Sequence, residues 1–227
     1  MDKLIYIADD EPNIRNLVKG FLEKEGYTVE AFPEGESLLA ALKLKAPDLV
    51  ILDVMMPGRD GYMITGDIRQ ISKIPIIMLT ARDTDTDFVL GITLGSDDYI
   101  TKPFSPMTLT MKVRALFRRI DMENQAPVHE ELSFLDILIN PEKKMVTVAG
   151  KETEFAPNEY ALLKYLIENK ERAISRDELL DKVWGYTTAV ETRVTDDTLK
   201  RLRKKIKDSK VNIETIWGFG FRLKQKE

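Results

Sequence analysis

Five side chains at four separated places could work together: the carboxylates of Asp9, Asp10 and Asp53, the hydroxyl of Thr80 and the ammonium of Lys102. The three acids and Thr80 follow short apolar runs and Lys102 follows the mixed stretch Asp98–Thr101, so each should stand at the carboxyl end of a strand. Taken singly, a strand-end Asp is an ordinary turn residue. Gathered at one sheet edge, three carboxylates repel one another unless a cation sits among them. Oxygen donors suit Mg²⁺, which keeps several waters and takes only one or two carboxylates. A divalent cation, a carboxylate with available lone pairs, a hydroxyl and an ammonium make a site for a phosphoryl group. Asp53 could then act as nucleophile and form an acyl phosphate. The cation, Lys102 and Thr80 would neutralise the phosphoryl oxygens, which is most of what phosphoryl transfer requires.

The elements that must bring these groups together are legible in the hydrophobic pattern. Leu49 to Leu52 is an unbroken apolar run ending on Asp53, as in a parallel strand buried on both faces, and Pro57, Gly58 and Gly61 then break the chain into a loop. Lys3–Ala8, Tyr27–Phe32, Ile74–Leu79 and Asp98–Thr101 read as the other strands. Between and after them, Pro12 to Leu22, Ser37–Leu44, Tyr62–Ile71, Thr84–Leu94 and Pro106–Arg119 carry helical spacing. Strands alternating with helices predict an α/β fold, a doubly wound five-stranded parallel sheet. In such sheets ligands bind at the carboxyl edge.

Composition removes several function classes. The chain has 227 residues, no Cys and a single His, so disulfides, a thiol nucleophile, a Cys-based zinc site and a His cluster are excluded. There is no long apolar run and no signal-peptide pattern, which predicts a cytoplasmic protein without membrane contact. The net charge of −4 hides an asymmetry. Residues 190–227 carry 11 Lys and Arg against 6 Asp and Glu, whereas 121–189 carry 8 against 14.

The first half resembles the receiver domain of bacterial two-component response regulators. The match rests on Asp9-Asp10-Glu11-Pro12, on Leu52-Asp53-Val54-Met55-Met56-Pro57-Gly58-Arg59-Asp60-Gly61, on Leu79-Thr80-Ala81 and on Gly95 through Phe104 with Lys102-Pro103. The resemblance implies that Asp53 is the phosphoacceptor. It implies that Asp10, Asp53 and the backbone carbonyl of Met55 ligate Mg²⁺, with Asp9 assisting through water. Thr80 would be the switch hydroxyl, Ala81 a phosphate contact, Tyr99 the switch aromatic and Lys102 the phosphate-pairing lysine, followed by a cis peptide. Met55 and Arg82 occupy the positions that tune dephosphorylation.

Residues 121–130 lose periodicity and read as a linker between a unit at 1–120 and another at 131–227. His129 lies in that linker and reads as solvated. Beyond it, Leu132–Ile139, Lys144–Ala149 and Lys151–Phe155 predict short antiparallel strands. Asn158–Glu168, a helix opened by the capping box Ser175 to Glu178, and Arg193–Lys207 predict three helices. The third carries six basic residues between Lys200 and Lys207. A hairpin from Ile213 to Leu223 closes the chain. A basic helix after a helix pair fits a winged helix-turn-helix, an α+β domain whose recognition helix enters the DNA major groove.

Residues 131–227 resemble the winged-helix effector domain of the OmpR/PhoB family. The matching pieces are Phe155 to Tyr160, Ile174 to Tyr186, Arg193, Asp196 to Lys205, and Gly218 to Leu223. The resemblance implies that Thr198 and Arg201 face bases, that Arg193, Lys200 and Arg203 face phosphates, and that Lys204 and Arg222 belong to the same DNA-binding set. It implies a loop from Trp184 to Val190 that touches RNA polymerase, a sensor histidine kinase as phosphodonor, and a phosphorylated homodimer on promoter DNA. Three departures stand out: Thr108 and Lys112 where many relatives have Glu and Arg at the receiver dimer face, and Trp217 where the wing usually carries Arg. They predict a weakened or altered dimer face, built around Asp97, Asp98, Arg118 and Arg119. They also leave Trp217 to pack on sugar or on core. Two other readings stay open. One is a phosphorylation-independent DNA-binding regulator whose receiver is an interaction module. The other is an aspartyl-phosphate hydrolase, which Met55 disfavours by standing where a second acid is usual. No P-loop sequence occurs, which disfavours an ATP-driven kinase.

Overall fold

The structure is a computed structural model and describes residues 3–80, 95–125, 131–143, 145–185 and 194–226. The chain divides into two compact units, Met1–Arg114 and Ala115–Glu227.

In the first unit, strands β1 (Leu4–Ala8), β2 (Thr28–Phe32), β3 (Leu49–Asp53), β4 (Ile76–Thr80) and β5 (Asp98–Thr101) form one parallel sheet in the order β2-β1-β3-β4-β5. Every residue of β1, β3 and β4 is buried, while the edge strand β2 buries only Val29 and leaves Thr28, Glu30 and Ala31 exposed. The apolar runs therefore mark the central strands, which are covered on both faces. The helices are α1 (Pro12–Lys24), α2 (Gly35–Leu44), α3 (Gly61–Ile71) and α4 (Pro106–Gln125). Leu38, Leu39 and Leu42 of α2 and Ile64 and Ile68 of α3 pack on Tyr6, Val50, Leu52 and Met78 of the sheet. Full burial of one such aliphatic side chain stabilises by about 1.5–3 kcal/mol. The helix expected over 84–94 lies outside the described residues, as do Ala81 and Arg82.

One boundary differs from expectation. Helix α4 does not stop at Arg119 but continues to Gln125, so the segment expected as linker begins as helix. Nothing from Ile120 to Gln125 is Gly or Pro, and each further residue adds a backbone hydrogen bond to an existing helix. Pro127 disfavours helical geometry only at Ala126.

In the second unit, four strands rather than three open the fold: β6 (Leu132–Phe134), β7 (Ile137–Asn140), β8 (Met145–Val148) and β9 (Lys151–Glu152), antiparallel in that order. The run 132–139 is divided because Leu135 takes a φ of 57° in a tight turn. The Asp136 carboxylate is anchored there, accepting from Ser209 Oγ at 2.5 Å and from Lys210 N at 3.0 Å. Helices α5 (Pro157–Glu168), α6 (Arg176–Leu179, continued by a π-helical turn over Leu180–Trp184) and α7 (Val194–Lys205) follow. Strands β10 (Ile174–Ser175), β11 (Val211–Ile216) and β12 (Gly220–Gln225) form a second sheet in the order β10-β12-β11. β10 was not expected. Ser175 caps α6 by accepting from Glu178 N at 3.1 Å, but the return arm of the expected box is not the one described: the Glu178 carboxylate accepts from Tyr165 at 2.6 Å and from Arg172.

Candidate functional site

The sheet order changes direction between β1 and β3, where both connections leave the crevice open at the carboxyl ends. β1 runs straight into Asp9 and Asp10, and β3 ends on Asp53. One carboxylate oxygen from each of the three lies within 4.8 Å of the others. Asp9 and Asp53 are buried, whereas Asp10 is exposed. Lys102 reaches in from the end of β5. Its Nζ donates to Asp9 Oδ2 at 2.8 Å and to Asp53 Oδ2 at 2.9 Å, and lies 3.5 Å from Glu11 Oε1. Burial works against the Lys102 ammonium, but its hydrogen bonds to Asp9 and Asp53 outweigh that and raise its pKa. Burial also raises the Asp9 carboxyl above its usual range, opposed by the bonds from Lys102 and from Glu11 N.

Backbone geometry fixes these groups. The Lys102 N–H donates to Thr80 O at 2.6 Å, which holds the ends of β4 and β5 together, and the Lys102–Pro103 peptide is cis. The Met55 N–H donates to Asp53 Oδ1 at 3.2 Å. Thr80 is buried, and Tyr99 is partly buried against the core cluster. Gly61, the first residue of α3, donates its N–H to Val54 O at 3.0 Å. A Cβ on Gly61 would lie 2.2 Å from Asp53 O, so only glycine lets α3 start against the end of β3. Three acids and one lysine leave net negative charge in a partly buried pocket, with donor chemistry that suits a hard divalent cation.

The basic helix is sorted differently from expectation. Thr198, placed by its spacing on the inner stripe and by the resemblance against bases, has no exposure and lies on that stripe with Val194, Thr195, Leu199 and Leu202. Arg201, the other expected base contact, is 10% exposed and donates from Nε to Glu159 Oε1 at 3.0 Å and from Nη2 to Thr198 Oγ1 at 3.1 Å. The cause is Glu159, a carboxylate buried at the start of α5 that draws both Arg201 and Lys205 toward it. It also accepts from Ala156 N at 2.9 Å. Burial pushes the Glu159 carboxyl up, but Lys205 and Arg201 outweigh it and hold the group below its usual range. Its place after Pro157 at the first turn of a helix was the available signal. Arg203 is partly buried and donates to Ile213 O and Thr215 Oγ1, and Arg222 pairs with Glu214 on the hairpin. Lys200, Lys204 and Lys207 are exposed. Arg193 and most of the loop after Trp184 lie outside the described residues.

Three charges of the expected receiver dimer face, Asp97, Asp98 and Lys112, are engaged internally. Asp97 accepts from Arg69 Nη2 at 2.7 Å and from Ile76 N at 3.0 Å, and Asp98 accepts from Lys112.

Comparison with known proteins agrees with this architecture. The family model for the response regulator receiver domain matches residues 5–114, and that for the C terminal of transcriptional regulatory proteins matches 150–223. The chain is 37% identical over 222 residues to the uncharacterized transcriptional regulatory protein YclJ of Bacillus subtilis (strain 168), covering 96% of this chain and 98% of that one. It is similar to the crystal structure of DrrB, an OmpR/PhoB homologue of Thermotoga maritima, at 31% identity and a TM-score of 0.53, covering 98% of this chain and 99% of DrrB. A RitR mutant shares the fold at a TM-score of 0.77 and 24% identity, covering 99% of this chain and 100% of its own. With a receiver at one end and a winged-helix DNA-binding domain at the other, the chain belongs to the OmpR/PhoB response regulators, the transcription regulators of two-component systems.

Proposed function

We propose that this regulator is switched by phosphorylation of Asp53. A partner sensor histidine kinase presents a phosphoimidazole. An Asp53 carboxylate oxygen forms the new O–P bond, the P–N bond breaks, and the imidazole leaves with a proton. The observation that carries the reading is the Lys102 ammonium held 2.8 and 2.9 Å from Asp9 and Asp53, where it can follow the charge of an incoming phosphoryl group. Asp10, Asp53 and the Met55 carbonyl would hold Mg²⁺, with Asp9 acting through water. When bound, the ion supplies further neutralisation of the phosphoryl oxygens. Thr80 and Tyr99, with Ala81 as a further phosphate contact, would pass the change to the face made by the helix expected over 84–94 and by α4. The same pocket would accept small phosphodonors and hydrolyse its own acyl phosphate, with no other enzymatic turnover.

The receiver occupies 1–120 and the effector domain 131–227. Phosphorylated receivers pair, and two winged helices take repeated half-sites on promoter DNA, where linkage raises the effective concentration for the second contact. Lys200, Lys204 and Arg193 meet phosphates. The loop from Trp184 meets RNA polymerase. The setting is the cytoplasm, and among the described residues no helix is long and apolar enough to cross a membrane.

Incubation with acetyl phosphate and Mg²⁺ tests this: intact mass should rise by one phosphoryl group in the parent chain and not in Asp53→Ala, and light scattering should show the mass doubling only in the former. A second reading keeps the receiver as a phosphorylation-independent interaction module. The internal engagement of Asp97, Asp98 and Lys112 favours it, because those charges need no partner copy. Unchanged promoter binding and regulation in Asp53→Ala would select that reading.

A further inference from the structure

The hairpin β11–β12 turns through Trp217, Gly218 and Phe219. Trp217 is 93% exposed and Phe219 is 53% exposed. The expectation that Trp217 could pack on core is therefore not met. The other tryptophan, Trp184, is 3% exposed. An indole held in water is an unrealised source of contact energy, since aromatic side chains bury some 150–250 Å² each.

The tip is held firmly. Gly218 takes a φ of +73°, which closes the turn. A Cβ on Gly220 would lie 2.0 Å from Ile174 O, so β12 leaves the tip in close contact with β10. On the other side, Arg203 of the basic helix α7 donates to Ile213 O at 2.9 Å and to Thr215 Oγ1 at 2.8 Å, and its guanidinium lies 5.8 Å from the Phe221 ring centre. The strand that leads to Trp217 is thus braced against the helix that carries Lys200 and Lys204. The hairpin's own cations do not supply charge at the tip: Arg222 and Lys224 lie 2.7 and 3.3 Å from Glu214.

We propose that Trp217, backed by Phe219, is an apolar wedge that enters the DNA minor groove beside the helix contact, stacking on sugars and opening a base step. The proposal rests on the DNA-binding reading of this unit. Apolar side chains inserted at base steps kink the duplex, and they favour the flexible pyrimidine–purine steps. Such a contact neutralises no phosphate and adds nothing to the salt dependence of binding. A second copy of the chain fits the tip less well. Two rings offer at most about 500 Å² on one copy, less than the roughly 600 Å² per partner of the smallest stable interfaces, and the neighbouring helix face is basic, as a nucleic acid requires.

The test uses the full-length chain and a duplex that it selects from a random pool. Trp184 is the buried internal reference, and Trp217→Phe isolates its signal. Binding should shield Trp217 from acrylamide quenching. Trp217→Ala should weaken the duplex by about tenfold, within the range for loss of one stacked base, with the salt slope unchanged. Trp217→Phe should restore most of the affinity. A Trp217 that stays quenchable in the complex, or Trp217→Ala binding as tightly as the parent, overturns the wedge while leaving DNA binding intact. Loss of self-association in Trp217→Ala, with DNA affinity unchanged, assigns the tip to a second copy and overturns the wedge. Failure of the parent chain to select any duplex overturns the wedge together with the reading beneath it.

Discussion

Lys112 Nζ lies 3.0 Å from both carboxylate oxygens of Asp98, and both side chains are more than nine-tenths buried. The pair closes within one chain, from α4 to the start of β5. Removing one member leaves the other buried without its counter-charge, a loss of about 3 kcal/mol or more, while replacing both with apolar groups can be neutral. Asp98→Asn should therefore lower the urea midpoint of the receiver strongly, and Asp98→Leu with Lys112→Met should recover most of it. A double-mutant cycle with a coupling energy near zero would contradict the pairing.

The Asp9, Asp10 and Asp53 cluster predicts that a divalent cation stabilises the receiver. A ligand present at 100 times its Kd adds about 2.7 kcal/mol. Titration with Mg²⁺ should raise Tm in the parent chain, and the rise should be lost in Asp53→Ala and reduced in Asp10→Asn. Equal rises in all three would place the cation elsewhere.

Much of the first unit was readable because each central strand is buried on both faces and so appears as an unbroken apolar run. Asp9, Asp53 and Thr80 then follow from where those runs end, and Lys102 from the end of the mixed edge strand β5. On the DNA side the local pattern says less. The pattern of charge identifies a basic helix, but it does not say which of its cations points outward. Arg201 turns inward because Glu159, 42 residues earlier in the chain, is buried beside it, and Thr198 sits under it on the core stripe. A long-range buried carboxylate leaves no mark in the local pattern of α7. The β6–β7 turn was missed for a related reason: Leu135 is an apolar residue in a left-handed conformation, where Gly or Asn would have announced the turn.

Gly61 ties the fold to the site. Because a Cβ there would meet Asp53 O at 2.2 Å, Gly61→Ala must move either the end of β3 or the start of α3. Backbone does not yield as a flexible side chain does, and strain of this kind costs about 1–3 kcal/mol. The variant should be less stable by that amount and should phosphorylate more slowly from acetyl phosphate. Gly66→Ala on the same helix meets nothing within 4 Å and serves as the control, with stability unchanged or raised.

The Glu159 network gives a pH dependence whose sign is fixed. Its folded carboxyl titrates below the usual value, so the unfolded chain binds more protons in the acid range. The stability it contributes is complete above the unfolded pKa of about 4.3 and is lost as pH falls through the folded value. Glu159→Gln keeps an oxygen for Ala156 N but removes the charge facing Arg201 and Lys205, and should cost about 3 kcal/mol at neutral pH. The gap between variant and parent should close as pH falls below about 4. Arg201→Ala should likewise destabilise the second unit, yet leave the salt slope of DNA binding unchanged, because Arg201 is directed at Glu159. Lys200→Ala and Lys204→Ala should do the reverse: stability within about 0.5 kcal/mol of the parent, and a salt slope reduced by about one phosphate contact each. If Arg201→Ala instead relaxes base preference at one position of the selected duplex without loss of stability, the side chain leaves Glu159 on binding and the base-facing role returns to it.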